Sequence, residues 1–158
     1  MARKLDDINR QILMLLQEDG RMKRQDVAKK VGLSTPAVSE RMNKLLERGV
    51  IKRYTAVVNP TAINKDVTAY ITLGLDDSKF FADFEKNVKK TADILECQAI
   101  TGVAAYLLKV RVSSIAALND LITDIKQWKG IVTVESNVVL DTIKETNVLD
   151  TSKSEEAE

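Results

Sequence analysis

The sequence predicts an α+β chain in two parts: an N-terminal winged helix-turn-helix, then a C-terminal ferredoxin-like βαββαβ domain. Three observations carry this expectation. Three short stretches of helical periodicity end at Gly20, Gly32 and Gly49 and give way to a run of strand formers. The second half then alternates in the order strand, helix, strand, strand, helix, strand. Charge divides at the same place. Residues 1–60 carry 13 Lys/Arg against 7 Asp/Glu, an excess of six positive charges, whereas residues 61–158 carry 11 against 16, an excess of five negative ones. A basic half joined to an acidic half suggests that one end meets a polyanion. Chance clustering on two solvated surfaces is the plainer alternative.

Asp6 or Asp7 caps a first helix whose face is Ile8, Ile12, Leu15 and Leu16, widened by Leu13. A second, from about Lys23 to Val31, buries Val27, Ala28 and Val31. Gly32 follows, where a helix end favours a left-handed residue. Ser34 caps a third helix, with Pro36 tolerated in its first turn. Val38, Met42, Leu45 and Leu46 form its core stripe. Ile51 to Val58 reads as a β-wing, and Asn59-Pro60 stops it.

In the second half, Val67, Ala69, Ile71, Leu73 and Leu75 alternate with polar or small residues, as in a half-buried strand. A helix carries Phe80, Phe81, Phe84 and Val88. Ile94 to Thr101 and Tyr106 to Val112 are the next strands. A helix with Ile115, Leu118, Leu121, Ile122 and Ile125 follows, covered at its end by Trp128. Ile131 to Asp141 is the last strand, with Val132, Val134, Val138 and Leu140 expected on one face. The expected organisation is a DNA-binding domain over 1–60, a linker over 61–66, an effector and oligomerisation domain over 67–145, and an acidic, disordered tail over 146–158.

Composition narrows function. There is no histidine, which removes the commonest general base and metal ligand. The single cysteine, Cys97, makes no intramolecular disulfide and anchors no metal cluster. It alternates with Leu95 and Ala99 and reads as a core thiol. No phosphate loop is present, so an enzyme is disfavoured and no cofactor or metal is expected. No run of about 18 apolar residues occurs, and the start lacks a signal-peptide core, so a cytoplasmic protein is expected.

The two helices around Gly32 place the second for docking in a DNA major groove, where base edges are distinguishable. The candidate DNA-binding residues are Ser34, Thr35, Pro36, Ser39, Glu40, Arg41, Asn43 and Lys44 on the third helix. Lys52 and Arg53 on the wing, with Arg21 and Lys23, add attraction to phosphates; Arg3, Lys4 and Arg24 contribute as well. Each has a plainer alternative. Ser39 and Asn43 fit a solvated helix face. Glu40 and Lys44 fit an i, i+4 ion pair that reads no base. Lys52 and Arg53 fit a charged edge strand.

These motifs, Leu5-Asp6-Asp7-Ile8-Asn9-Arg10-Gln11-Ile12-Leu13, Val27-Ala28-Lys29-Lys30-Val31-Gly32-Leu33-Ser34, Val38-Ser39-Glu40-Arg41-Met42-Asn43-Lys44-Leu45 and Gly49-Val50-Ile51, resemble the Lrp/AsnC, or feast/famine, regulators. The resemblance runs from about Leu5 to Lys144. It implies a C-terminal RAM-type domain that dimerises and binds a small-molecule effector (an amino acid or related metabolite). It also implies homodimers assembled into octamers or similar rings, or into open polymers, and pseudo-palindromic operators on double-stranded DNA.

One stretch departs from the family. Effector-sensing relatives often carry Thr-Gly-Asp-Tyr-Asp after the second RAM strand. Here it is Thr101-Gly102-Val103-Ala104-Ala105, followed by Tyr106, with both carboxylates missing. Gln98, Thr101, Tyr106, Ser136 and Asn137 are the polar groups left to line an effector site, and sheet surface or subunit packing is their alternative role. Two readings of function therefore stand: a site-specific regulator, with or without effector, and an architectural, weakly specific DNA-binding protein without one. RNA binding by the second half is disfavoured by its negative charge and lack of stacking aromatics.

Overall fold

The computed structural model describes residues 5–152 and divides the chain into two units. One comprises residues 1–57 together with 144–158, and the other residues 58–143.

The first unit holds three helices. α1 (Asp7–Glu18) starts at Asp6, whose carboxylate accepts the Asn9 N–H at 2.7 Å. Capping in this way satisfies one of the amide donors that a helix start leaves without a partner. α2 (Arg24–Val31) ends at Gly32, held at φ 68°, and the N–H groups of Gly32 and Leu33 both return to the Ala28 carbonyl. Only glycine takes this left-handed conformation without a Cβ penalty. α3 (Thr35–Glu47) is capped by Ser34, whose hydroxyl accepts from the Ala37 N–H. Ile12, Leu13, Val27, Ala28, Val31, Val38, Met42 and Leu45 form one core, with Ile8, Leu16, Met22 and Ile51 at its edge. Full burial of each such aliphatic side chain is worth about 1.5–3 kcal/mol.

Two segments differ from expectation. Ile51 to Val58, the expected wing, form neither helix nor strand, and all of them after Ile51 are exposed. A strand exists only through ladder bonds to a neighbour, and no described segment pairs with them. The tail was expected to be disordered from residue 146. Its described part, to Ser152, instead belongs with the helices and is hydrogen-bonded to α1 at Leu149 and Thr151. Polar composition signals a missing core, but backbone groups can still find side-chain partners. The rest of that tail, residues 153–158, lies outside the described residues.

The second unit is a four-stranded antiparallel sheet, in the order β2-β3-β1-β4, built from β1 (Val67–Leu75), β2 (Ile94–Ala99), β3 (Tyr106–Val112) and β4 (Ile131–Val138). α4 (Phe81–Lys90) joins β1 to β2, and α5 (Ile115–Lys126) joins β3 to β4. Ala69, Ile71 and Leu73 of β1 and Leu108, Val110 and Val112 of β3 share one face, buried against Phe84, Leu118, Leu121 and Ile125. Phe84 also packs on Tyr106 and Trp128, with ring centroids 4.7 and 6.2 Å away.

Two irregularities in register re-aim side chains that simple alternation assigns to the core. Between Gly74 and Leu75 the register shifts, so Ile131 sits opposite Leu75 while Val132 is left 60% exposed. Between Ile94 and Glu96 a second shift leaves Leu95 outside, with Ile94 and Cys97 packed against the core. A one-residue slip moves a side chain to the other face. β2 and β4 also stop short of the expected Thr101 and Asp141, and Leu140, past the end of β4, is almost fully exposed.

Gly130, at φ 82°, opens the turn into β4, and a Cβ there would lie 2.3 Å from the Phe80 ring. The strain of a left-handed residue and the overpacking add, so Gly130→Ala should destabilise the protein by about 2–4 kcal/mol. Urea unfolding measures this. A midpoint equal to the parent's would refute the close approach.

Candidate nucleic-acid interface

α3 buries Val38, Met42 and Leu45, which leaves a solvent-facing surface bearing Thr35, Pro36, Glu40, Asn43 and Lys44, with Ser39 and Arg41 half-buried on its flanks. At the start of the helix Ser34 uses its side chain on the cap, and Thr35 and Pro36 in the first turn are exposed.

Several candidates already have partners in the protein. Lys44 Nζ donates to Glu40 Oε1 at 2.6 Å, the i, i+4 pair that the spacing allowed, and this bond holds the Glu40 carboxyl below its ordinary range. Arg24 Nη2 donates to Asn43 Oδ1 at 3.3 Å, linking the start of α2 to the middle of α3. Arg41 is the most engaged. Its Nη1 donates to Asp6 Oδ2 at 2.6 Å and to Asn9 Oδ1 at 3.1 Å. Hydrogen bonding from Arg41, opposed by partial burial and reinforced by the Asn9 N–H, keeps the Asp6 carboxyl below 3.8. Arg41 was expected to grip a phosphate; the structure gives it the additional task of joining the first turn of α1 to α3. Sequence reasoning missed Asp6 and Asn9 as supports of this surface. Their signal was present, since a cap residue at a helix start sits beside whatever helix packs there.

A cleft of about 370 Å³ opens along this surface, lined by Asn9 and by Ala37, Glu40, Arg41, Lys44 and Arg48. Arg41, Lys44 and Arg48 bring three cations to it beside the one carboxylate of Glu40, an excess of positive charge that suits an anionic backbone. Lys52 and Arg53 are exposed on the segment after α3, while Arg21 and Lys23 are exposed between α1 and α2. Arg3 and Lys4 lie outside the described residues.

The candidate effector residues are not gathered in the same way. Residues 100–105 close the connection from β2 to β3: the Ile100 N–H bonds the Ala105 carbonyl, and the Ala105 N–H bonds that of Leu73. Gln98 is opposite Leu107, and Asn137 opposite Tyr70, on the sheet face away from the helices. Ser136 is opposite Ile71, on the helix-covered face. Tyr106 is engaged with the Phe81 and Phe84 rings. Thr101, Gly102 and Val103 are exposed, and Ala104 and Ala105 half-buried. Burial pushes the Cys97 thiol up, away from an activated thiolate. Among the described residues no group of three or more His, Cys, Asp or Glu could hold a metal, and no helix is long and apolar enough to cross a membrane.

Both units match known families. Residues 5–52 fit the profile of a winged helix-turn-helix DNA-binding domain, and residues 68–149 that of the Lrp/AsnC ligand binding domain. The chain belongs to the Lrp/AsnC family of transcriptional regulators. It is 34% identical to the HTH-type transcriptional regulator FL11 of Pyrococcus abyssi, over 94% of this chain and 98% of that one. It is also 34% identical to the leucine-responsive regulatory protein of Escherichia coli, over 94% and 92%. Among solved structures, an AsnC family regulator from Agrobacterium tumefaciens superposes with a TM-score of 0.86 at 33% identity, covering 92% of this chain and 96% of that one. A Neisseria meningitidis transcriptional regulator solved with L-Met superposes at 0.89 and 29% identity, covering 92% and 96%. As an Lrp/AsnC protein the chain is a DNA-binding regulator and not an enzyme, with a fold of the expected α+β class.

The Asp6–Arg41 pair makes an acid-side prediction. Asp6 has its folded value depressed, so its contribution is present above the unfolded 3.8 and is lost as pH falls through the folded value. Asp6→Asn keeps a good cap while removing the charge. The parent should therefore exceed the variant in stability by up to about 1 kcal/mol at pH 6, because the pair is partly exposed. The gap should close toward pH 2.5. Denaturant titrations across that range check it, and a constant gap would refute the assignment.

Proposed function

We propose that the protein is a site-specific regulator that reads pseudo-palindromic double-stranded DNA as a homodimer or higher homo-oligomer. The observation that carries this is the α2–Gly32–α3 turn, which leaves the outer face of α3 free of the core. Thr35, Pro36 and Ser39 lead that helix into the major groove, and Asn43 and Lys44 follow at its edge. Ser34 holds the helix start. Glu40 orients Lys44, and Arg24 orients Asn43. Arg41 meets a phosphate with the part of its guanidinium not bound to Asp6, and Arg21, Lys23, Lys52 and Arg53 add salt-sensitive attraction. Dimers form through the sheet face away from the helices, where Tyr70 is exposed. One chain cannot read both halves of a palindrome, and symmetric sites call for two-fold partners.

Binding of an amino acid or related metabolite in the C-terminal unit modulates occupancy. The Neisseria relative is known with L-Met, which supports this class of ligand here. Val103 and Ala105 offer no carboxylate for an α-ammonium, so the ligand is held by backbone carbonyls, by Thr101 and Gln98, and by groups of a second chain. We place the protein in the cytoplasm, where its DNA is. The architectural alternative, weak and indiscriminate binding without an effector, follows from the same basic surface and differs in specificity.

Selection from a random duplex pool, then titration against scrambled DNA at fixed salt, tests the proposal. A palindromic winner preferred by at least about a thousandfold is expected. Tight but indiscriminate binding would favour the architectural reading. Lys44→Ala should weaken binding and lower the salt slope by about one unit if Lys44 meets a phosphate. An unchanged affinity and slope would remove α3 from the interface.

A further inference from the structure

Glu40 is the one acidic side chain between Thr35 and Lys44 on α3. It stands on the outer face of the helix, 67% exposed, with Lys44 one turn further on. It lies five residues past Thr35, about 7.5 Å along the axis, where a helix that enters a groove by its tip still reaches base edges. A carboxylate is out of place there on electrostatic grounds. Arg41 and Lys44 draw phosphates in, whereas Glu40 meets a polyanion with charge of the same sign.

The pairing with Lys44 shows what the carboxylate can do. Lys44 Nζ donates to Glu40 Oε1 at 2.6 Å. That bond, with the charges of Lys44 and Arg41, holds the Glu40 carboxyl below its ordinary range. Glu40 is therefore ionised at neutral pH, and an ionised carboxylate only accepts. An ammonium has three donors and a carboxylate about four acceptor sites, so one bond between them does not exhaust either. Few groups in the major groove answer an acceptor. Guanine presents N7 and O6 and thymine O4, all of which repel a carboxylate. Adenine offers its N6 amine but sets the N7 acceptor beside it. Cytosine offers its N4 amine with no acceptor of its own alongside.

We propose that Glu40 is a specificity-determining residue that accepts from cytosine N4 and so fixes one C·G pair in each half-site, while Lys44 bridges its carboxylate to the neighbouring phosphate. The inference deepens the reading of α3 proposed above and rests on it. Glu40 then has two opposed effects. It weakens binding to DNA at large through repulsion, and it recovers that loss at one base pair. Its contribution is to discrimination more than to affinity.

The test compares the full chain with Glu40→Gln and Glu40→Ala. Each is carried through selection from random duplexes, then titrated on the parent's operator and on scrambled DNA at one salt concentration. The parent's winner should carry C at symmetry-related positions that Glu40→Gln changes to A, because a glutamine amide bonds adenine N6 and N7 together. Glu40→Ala should show no preference at those positions and should bind scrambled DNA about two- to fivefold more tightly. Its ratio of operator to scrambled affinity should fall at least about tenfold. A cytosine analogue that lacks the exocyclic amine (a pyrimidinone) checks the atom with the protein unchanged. Placed at those positions, it should cost the parent about tenfold more than it costs Glu40→Ala. The weaker base pairing of the analogue is common to both proteins, so the difference between them reports the contact. Identical base preferences in all three proteins, beside an intact palindrome, would overturn the role of Glu40 and keep α3 in the groove. So would an equal loss on the analogue. A parent with no palindromic winner would overturn the reading of α3, and the role of Glu40 with it.

Discussion

The helical unit depends on the left-handed turn at Gly32. With only two residues between α2 and the cap of α3, both helices must turn their apolar stripes into the same small space. Val27, Ala28 and Val31 meet Val38, Met42 and Leu45 there, and α1 closes the core with Ile12 and Leu13. Once that core is satisfied, the polar side of α3 has nowhere to go but outward. Exposure of the proposed recognition surface is therefore a by-product of packing. Three helices of 8 to 13 residues could not stand as isolated helices in water, and each is helical because the others bury its stripe.

That logic explains what was legible. Helix periods, caps and glycine stops are local, and α1, α2 and α3 stand where Asp6, Gly32 and Ser34 place them. The alternation of β1 and β3 is equally local, and both keep it along their whole length in the sheet centre. The edge strands are different. β2 and β4 each pair on one side only, and each carries a register shift. The residues displaced, Leu95 and Val132, look no different from their neighbours in sequence. Register is a property of two strands, so one strand read alone cannot reveal where its partner slips.

The same distinction separates the two sites. The proposed DNA-facing surface lies mainly on one helix, so a motif captures its membership. A motif does not capture the partners that hold it in place. Asp6 is 35 residues from Arg41, and Arg24 is 19 from Asn43, yet these pairs decide which polar atoms remain available. The wing is a third case. Strand propensity at residues 52–58 is real, but propensity supplies no ladder, and these residues remain unpaired among those described.

The candidate effector residues mark the limit of reasoning from a single chain. Gln98 lies on the sheet face away from the helices and Ser136 on the covered face, with β3 and β1 between their strands. At about 4.8 Å per strand, three spacings separate β2 from β4 by roughly 14 Å, more than one amino-acid ligand spans. Residues so placed cannot enclose a small molecule within one sheet. Thr101, Gly102 and Val103, by contrast, are contiguous and exposed at one end of the sheet. An exposed loop without carboxylates gains affinity for a polar ligand only when something else excludes water from it. A second copy of the chain is the economical source of that cover. On this argument ligand binding and assembly are linked: a ligand held between chains favours the assembled state, and the assembled state favours the ligand by the same factor.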